Sequence, residues 1–296
     1  MNPTHRDEVS QQLVAAAPIA GPHLAAGLRP AVRFATARTD DVHIPAGSSK
    51  IGGDPDLAAG AAWPTWVNKA GATRPLNFFG QVDLGAAAAA APASLDLPTT
   101  GLLSFFADFG SGGPDEIYGL EATEQQGAVV LYSPSGASLV RQKSPGTTFT
   151  TGALAPVGAW TWPQDPPPGV DLSDAELNAL DGADQAYEAA LVAGLPSGWT
   201  LGGRHQLGGH ARYIQNPVEE EVVTALSSIY RGGILDRARW DEVNVQVADW
   251  RVVFQLDSDN TLGLMWGDVG TLWWAAKKAD AASGVWDKGM FNFQCS

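Results

Sequence analysis

The sequence predicts a mainly β, α+β chain: an internally duplicated antiparallel β-sheet, sandwich or barrel-like, with a few covering helices. Three observations carry this. Of 296 residues, 45% are hydrophobic and only 17% charged, with 34 Gly and 20 Pro, a composition of short strands and turns. Apolar or aromatic runs of strand length are separated by Gly, Pro, Ser or Asp. Two of those runs, "FFGQVDL" at 78–84 and "VVFQLDS" at 252–258, carry the same Gln-apolar-Asp pattern, each downstream of a double-glycine turn ("KIGGDPD", then "QLGGHAR"). A chain of this length can remove roughly 75% of its unfolded surface from water.

The elements follow in order. Val9, Leu13 and Val14 recur at helical spacing, so a short helix covers about 8–17 before Pro18, Gly21 and Pro22 interrupt it. "RPAVRFAT" (29–36) alternates Val32 and Phe34 against Arg33 and reads as a strand. "LNFFGQVDL", "GLLSFFADF", "EIYGLEA" and "AVVLYSP" continue a β-rich half. "GAAAAAAPAS" (85–94) fits a helix by propensity and a surface loop equally well. The proline run near 163–168 cannot donate to a strand ladder and favours an extended spacer. Ser173 and Glu176 then form a capping box, S-x-x-E, that predicts a helix over about 174–192. A second helix is expected with Asn216 as its cap, Pro217 at the first helical position and Glu219 completing the box. Its apolar stripe runs over Val222, Val223, Leu226 and Ile229 until "RGG" stops it. "WRVVFQLDSD", "TLGLMWGDVGTLWWAAKKAD" and "MFNFQCS" return to strands. The expected organisation is an N-terminal helical segment (1–28) and a single domain (29–296). Two pseudo-repeats, about 29–160 and 200–296, are joined by a Pro-rich, helical insert at 163–198.

The repeated Gln and Asp read as architecture. Strand alternation places Phe79, Gln81 and Asp83 on one face against Phe78, Val82 and Leu84, and Val253, Gln255 and Asp257 on the corresponding face of the later copy. Gln neither transfers protons nor attacks carbonyls. A half-buried Gln offers donors and acceptors enough to bind an irregular Gly-Gly turn, and Asp at a strand end accepts turn N–H groups. Gly52, Gly53, Gly208 and Gly209 are the bends so held.

Candidate chemistry is sparse. "DSDN" at 257–260 resembles the start of a calcium loop, but Thr261 and Leu262 break the pattern; Asp257, Asp259 and Asp268 remain as oxygen donors for a weak cation site. His205 and His210 are five apart, not four, with a turn between them, so no helical metal pair is expected. No G-x-S-x-G elbow, P-loop or dinucleotide fingerprint is present, and no metal or other cofactor is called for. Eleven Trp, nine of them after residue 150, suggest stacking on a sugar or an interface, and adjacent Trp273 and Trp274 should face opposite ways, leaving one partly exposed.

The net charge of −14 is concentrated after residue 150. Such a field repels nucleic-acid phosphates and anionic lipid and attracts a basic protein or a cation. Cys295 is the only cysteine, so no intrachain disulfide can form. Asp7 and Glu8 contradict the basic start of a signal peptide, no spanning segment is read, and a cytoplasmic location is the expectation.

"SKIGGDPDLAAGAAWP" (49–64), "LNFFGQVDL", "GLLSFFADF", "HQLGGHARYIQNP" (205–217), "VVFQLDSD", "WGDVGTLWW" (266–274) and the terminal "FNFQCS" together resemble the YwqG-like family of unknown function. The resemblance runs over roughly 30–296 and implies a single β-rich, internally duplicated α+β domain. Lys50, Gly52, Gly53, Gln81, Gln215, Gln255, Asp257, Trp266 and Asp268 match the family pattern as signature residues. Ala211 replaces the Pro usual there, and the insert near 163–200 is long. The resemblance implies a fold and no reaction. The leading functional expectation is a non-catalytic cytoplasmic binding protein with a basic protein partner, as in an immunity or antitoxin role. Its binding residues would come from Lys50, His205, His210, Asp257, Asp259, Trp266 and Asp268. The rivals are a hydrolase or cation-dependent enzyme using Asp257, Asp268 and His205, and a carbohydrate-binding module using exposed Trp.

Overall fold

The structure is a computed structural model that describes residues 2–112, 116–227, 230–231, 234–235 and 240–296. Its centre is a ten-stranded antiparallel sheet. The strands are β1 (Arg29–Arg38), β2 (Lys50–Ile51), β3 (Asn77–Asp83), β4 (Leu102–Ala107), β5 (Ala128–Ser133), β6 (Gly152–Thr161), β7 (Gln206–Gly208), β8 (Trp250–Asp257), β9 (Thr271–Lys277) and β10 (Met290–Gln294). Their order, β10-β9-β8-β7-β1-β6-β2-β3-β4-β5, reads the same way inward from either edge: a three-strand meander, a very short strand, then one of two long central strands. β1 and β6 pair over ten residues with Ala35 opposite Ala155. A register shift falls between Phe78 and Gly80 in β3 and again between Val252 and Phe254 in β8, so even the bulges repeat.

The sheet curls until its edges nearly meet, which makes it barrel-like. The gap is bridged by side-chain and loop groups. Gln125 Oε1 accepts from the Phe291 N–H (2.6 Å), while its Nε2 donates to the carbonyls of Phe291 and Gly119, and the Phe293 N–H donates to Tyr118. One amide thus satisfies both backbone groups of an edge residue, as a neighbouring strand would. Inside, Phe105 stacks on Phe254 at 4.4 Å, and Phe79, Trp266 and Trp274 complete a continuous aromatic core.

Seven α-helices are described: α1 (Arg6–Ala16), α2 (Gly21–Ala26), α3 (Leu84–Ala90), α4 (Asp174–Ala193), α5 (Val218–Ser227), α6 (Trp240–Val247) and α7 (Lys278–Ser283). α1 buries Val9 and Leu13 while Val14 faces out. α4 has the expected capping box, with the Ser173 and Glu176 side chains each bonded to the other's backbone. The alanine run resolves as helix because Asp83 accepts from the Gly85 and Ala86 N–H groups and so caps it.

Several expectations are corrected. "EIYGLEA" (116–122) forms no strand but an irregular segment leading into the 3-10 turn Ala122–Gly127, because the Glu124 carboxylate takes the N–H groups of Tyr118, Gly119 and Leu120 that a ladder would use, and of 261–280 only Thr271–Lys277 is strand. α5 starts one residue later than expected: the Pro217 carbonyl accepts from Glu220 and Glu221, and the Asn216 side chain bonds Glu221 instead of capping. Ile229, Gly232 and Gly233, the expected end of that stripe, lie outside the described residues. The bulge breaks strict alternation in β3, so Phe79 packs inward on Trp266 and Trp274 while Gln81 turns to the 48–56 loop. Trp273 and Trp274 are both buried (0% and 1% exposed) because the second half of the sheet is covered on both faces: Trp274 enters the barrel and Trp273 packs with Val222, Val223 and Val243 of α5 and α6.

Candidate functional site

The two glycine turns are held by one device used twice. Gln81, fully buried, donates from Nε2 to the Ser48 carbonyl (2.8 Å) and accepts at Oε1 from the Asp56 N–H (2.9 Å). Gln255, equally buried, donates to the Arg204 carbonyl (3.1 Å) and accepts from the Arg212 N–H (3.0 Å). Residues 48, 52, 53 and 56 thus correspond one for one to 204, 208, 209 and 212. At all four glycines φ lies between +62° and +72°, the left-handed region that Gly enters without penalty. At Gly52 a Cβ would also lie 2.3 Å from the Thr150 carbonyl oxygen, and at Gly209 2.4 Å from Thr161 Oγ1. Each bend therefore excludes side chains and relies on the amide opposite for its flanking backbone groups.

The candidate ionisable residues fall into separate structural networks. Lys50 is fully buried, with Nζ donating to Asp41 (2.6 Å) and to the Asp54 carbonyl; burial lowers its pKa against the pull of Asp41. Arg141 joins Asp56 (2.9 Å) to the same loop. In the second half, the Asp257 N–H donates to His205 Nδ1 (3.2 Å), just as the Asp83 N–H donates to Ser49 Oγ (2.8 Å) in the first. His205 therefore occupies the place of a serine. Because Nδ1 accepts, the ring proton sits on Nε2 and donates to Asp259 Oδ2 (3.2 Å).

Asp259 is fully buried and also accepts from Thr36 Oγ1, Thr261 Oγ1 and the N–H groups of Thr261 and Leu262. Burial alone would raise its pKa; the bonds from His205, Thr261 and Thr36 outweigh it and hold the carboxyl well below the ordinary range. Asp257 accepts from the Arg204 N–H, Thr271 Oγ1 and Gln255 Nε2. Trp266 is buried and donates its indole N–H to the Asp257 carbonyl (3.0 Å). Gln215 ties its chain to the last strand, its N–H on Gln294 Oε1 and its Nε2 on the Cys295 carbonyl.

Asp268 is exposed and joins none of these networks. His210 stands apart too, its Nε2 donating to the Gly27 carbonyl (2.7 Å); burial, then Arg29, push its pKa down to about 4. Among the described residues no group of three His, Cys, Asp or Glu lies together so as to hold a metal ion. Eight of the eleven Trp are buried, and Trp63, Trp199 and Trp240 are half-buried.

A different cluster gathers where α4 crosses the sheet. Arg33 of β1, 3% exposed, meets Glu188 at 2.6 Å. Arg204 pairs with Asp184 and lies 3.6 Å from Glu188, and Arg212 reaches Asp184 at 3.1 Å while its guanidinium lies over the Trp162 ring at 5.2 Å. Burial lowers the pKa of Arg212, with Arg204 adding to the effect. Cavities of about 440 and 450 Å³ open on either side of these pairs, and Arg204 lines both. Sequence reading missed this cluster. Its available signals were an arginine among the apolar residues of β1 and two arginines eight positions apart around the pinned bend.

No curated protein matches the chain. The model of a domain of unknown function, DUF1963, matches residues 49–295, from the loop before the first glycine bend to the end of the last strand. The chain belongs to that family.

Proposed function

We propose that this chain is a non-catalytic binding protein that docks a basic protein partner on its acidic helices. The observation that carries the reading is where the charge sits. α4, α5 and α6 together hold ten acidic residues and no lysine or arginine, against a net charge of −14 for the whole chain. Burial, then the neighbouring Glu219 and Asp165, raise the pKa of Glu220 in α5. Meanwhile the groups a hydrolase would need are engaged elsewhere, with His205, Asp257 and Asp259 bonded to backbone and to one another and Asp268 outside their network. Exposed carboxylates on helices that carry no lysine or arginine of their own attract cations at long range and confer specificity through complementarity. An immunity- or antitoxin-like role in the cytoplasm fits this chemistry.

The same reading covers organisation. Residues 29–296 form one YwqG-like domain, supported by the family motifs in their order, with 1–28 as a helical segment packed outside. The pairing pattern supports dividing the repeats as 29–133 and 152–294, because β1 pairs with β7 of the later half and β6 with β2 of the earlier one. The two long strands are exchanged across the centre, which ties the halves into one unit.

The test is capture from lysate at low salt, followed by the variant Asp174→Asn/Asp181→Asn/Asp241→Asn, whose three side chains are all exposed. A stoichiometric basic partner released both by salt and by the variant is expected. Recovery of no stoichiometric partner, or of one indifferent to salt and to the variant, refutes the reading.

A further inference from the structure

The two halves share a scaffold, and at three equivalent positions they differ in charge. Where the bend held by Gln255 is surrounded by Arg33, Arg204 and Arg212, the bend held by Gln81 has Ala153, Ser48 and Asp56 at the equivalent positions. The bend therefore needs no arginine. At the Gln81 bend, Asp56 is neutralised by Arg141 from the short strand Leu139–Arg141 that pairs beside it. At the Gln255 bend the three guanidinium groups are met by two carboxylates, Asp184 and Glu188, brought by the inserted helix α4.

That match is incomplete. The Arg33 Nε, on a side chain 3% exposed, has no partner, although a buried donor left unpaired is costly. Asp257, the other nearby carboxylate, already accepts from a hydroxyl, an amide and the Arg204 backbone. Beside Arg204, the N–H groups of Gly202, which is exposed, and Gly203, which is half-buried, make no hydrogen bond among the described residues.

Nor is α4 deeply anchored. Of its twenty residues only Ala183, Tyr187 and Leu191 are buried. It is entered from a proline-rich stretch and left through Gly194 and Gly198. The cavities on its two sides reach the cluster without α4 leaving. One is lined by Arg204 and Arg212 together with Asp165, Asp181 and Asp184, the other by Arg33, Arg204, Gly202 and Gly203 together with Glu188 and Asp257. Gln255 holds the backbone from which Arg204 and Arg212 both project, so the two side chains start from fixed points on either side of the bend. Converging guanidinium forks suit the planar or tetrahedral oxygens of carboxylate and phosphate.

We propose that Arg33, Arg204 and Arg212 form a binding site for a small oxyanion ligand, one bearing phosphate or several carboxylates, which α4 occupies with Asp184 and Glu188 as built-in competitors. A ligand entering either cavity displaces one carboxylate and engages the unused donors, loosening α4 from the sheet.

The test titrates the full chain and its Asp184→Asn/Glu188→Gln variant with inorganic pyrophosphate and with citrate at matched ionic strength, followed by calorimetry. Removing the competing charges should tighten binding of at least one probe by about tenfold or more. Adding Arg204→Met to that variant should abolish the gain. Preference for pyrophosphate identifies a phosphate ligand and preference for citrate a polycarboxylate. Hydrogen exchange on the unmodified chain provides a second reading that does not depend on the variant folding: saturating probe should reduce protection across 174–193. A folded variant that binds neither probe more tightly than the unmodified chain overturns the proposal, and so does α4 protection that the probes leave unchanged.

Discussion

Replacing Gln255 by alanine removes four hydrogen bonds at once: from the Arg212 N–H, from the Trp273 indole N–H (3.0 Å), to the Arg204 carbonyl and to Asp257 Oδ1. Asp257 keeps Thr271 and the Arg204 N–H. The Trp273 indole, on a side chain with no exposure, and the Arg212 N–H are left without an acceptor. At about 1–3 kcal/mol for each stranded buried donor, the loss is roughly 4 kcal/mol, less whatever a water entering the void recovers. At about 2–4 °C per kcal/mol for a chain of this size, the melting temperature should fall by on the order of 10 °C. Urea unfolding measures the free energy directly, read from the midpoint at unchanged slope. Gln81→Ala should behave alike, since Gln81 binds the equivalent backbone groups of the other bend. Gln255→Glu keeps the acceptors but loses both donors and sets a second carboxylate beside Asp257, so it should not rescue. If either alanine variant unfolds within about 0.5 kcal/mol of the unmodified chain, as an ordinary surface substitution does, the glutamines do not hold the bends.

Gly52→Ala and Gly209→Ala should each cost more than about 2 kcal/mol in the same assay, from positive φ plus contact below 2.5 Å; an unchanged urea midpoint refutes this. His210, with a folded pKa near 4 against an ordinary 6.5, binds its proton more weakly folded than unfolded. Its stabilising contribution is thus complete above pH 6.5 and declines as pH falls towards 4. His210→Gln should remove up to roughly 2–3 kcal/mol of that dependence, measured as the difference in melting temperature between pH 7.5 and 4.5. Asp259, depressed below its ordinary 3.8, stabilises the fold above that value and loses the contribution as pH falls through its lower folded pKa. Asp259→Asn should therefore be less stable at pH 7 and show a shallower acid limb, followed by far-UV circular dichroism; an acid limb of unchanged steepness contradicts the assignment.

The α4 capping box, most of the strand runs and the duplicated Gln and Gly-Gly elements are legible in the sequence because each depends on periodicity or on bonds spanning a few residues, whereas "EIYGLEA" is apolar enough for a strand but is held irregular by Glu124. Even there, the extra residue in β3 and β8 reversed the facing expected for Phe79 and Val253, since a bulge is set by pairing with the next strand. His205 looked like chemistry on its own, and only the parallel with Ser49 shows it as an acceptor for a strand-end N–H. The burial of both Trp273 and Trp274 depended on helices arriving from other parts of the chain. Closure of the barrel by Gln125, and the meeting of Arg33 with Glu188 from 155 positions away, belong to the tertiary structure alone. A salt bridge or an amide bridge leaves no periodic trace in sequence, because its energy depends on distance in space and not on separation along the chain.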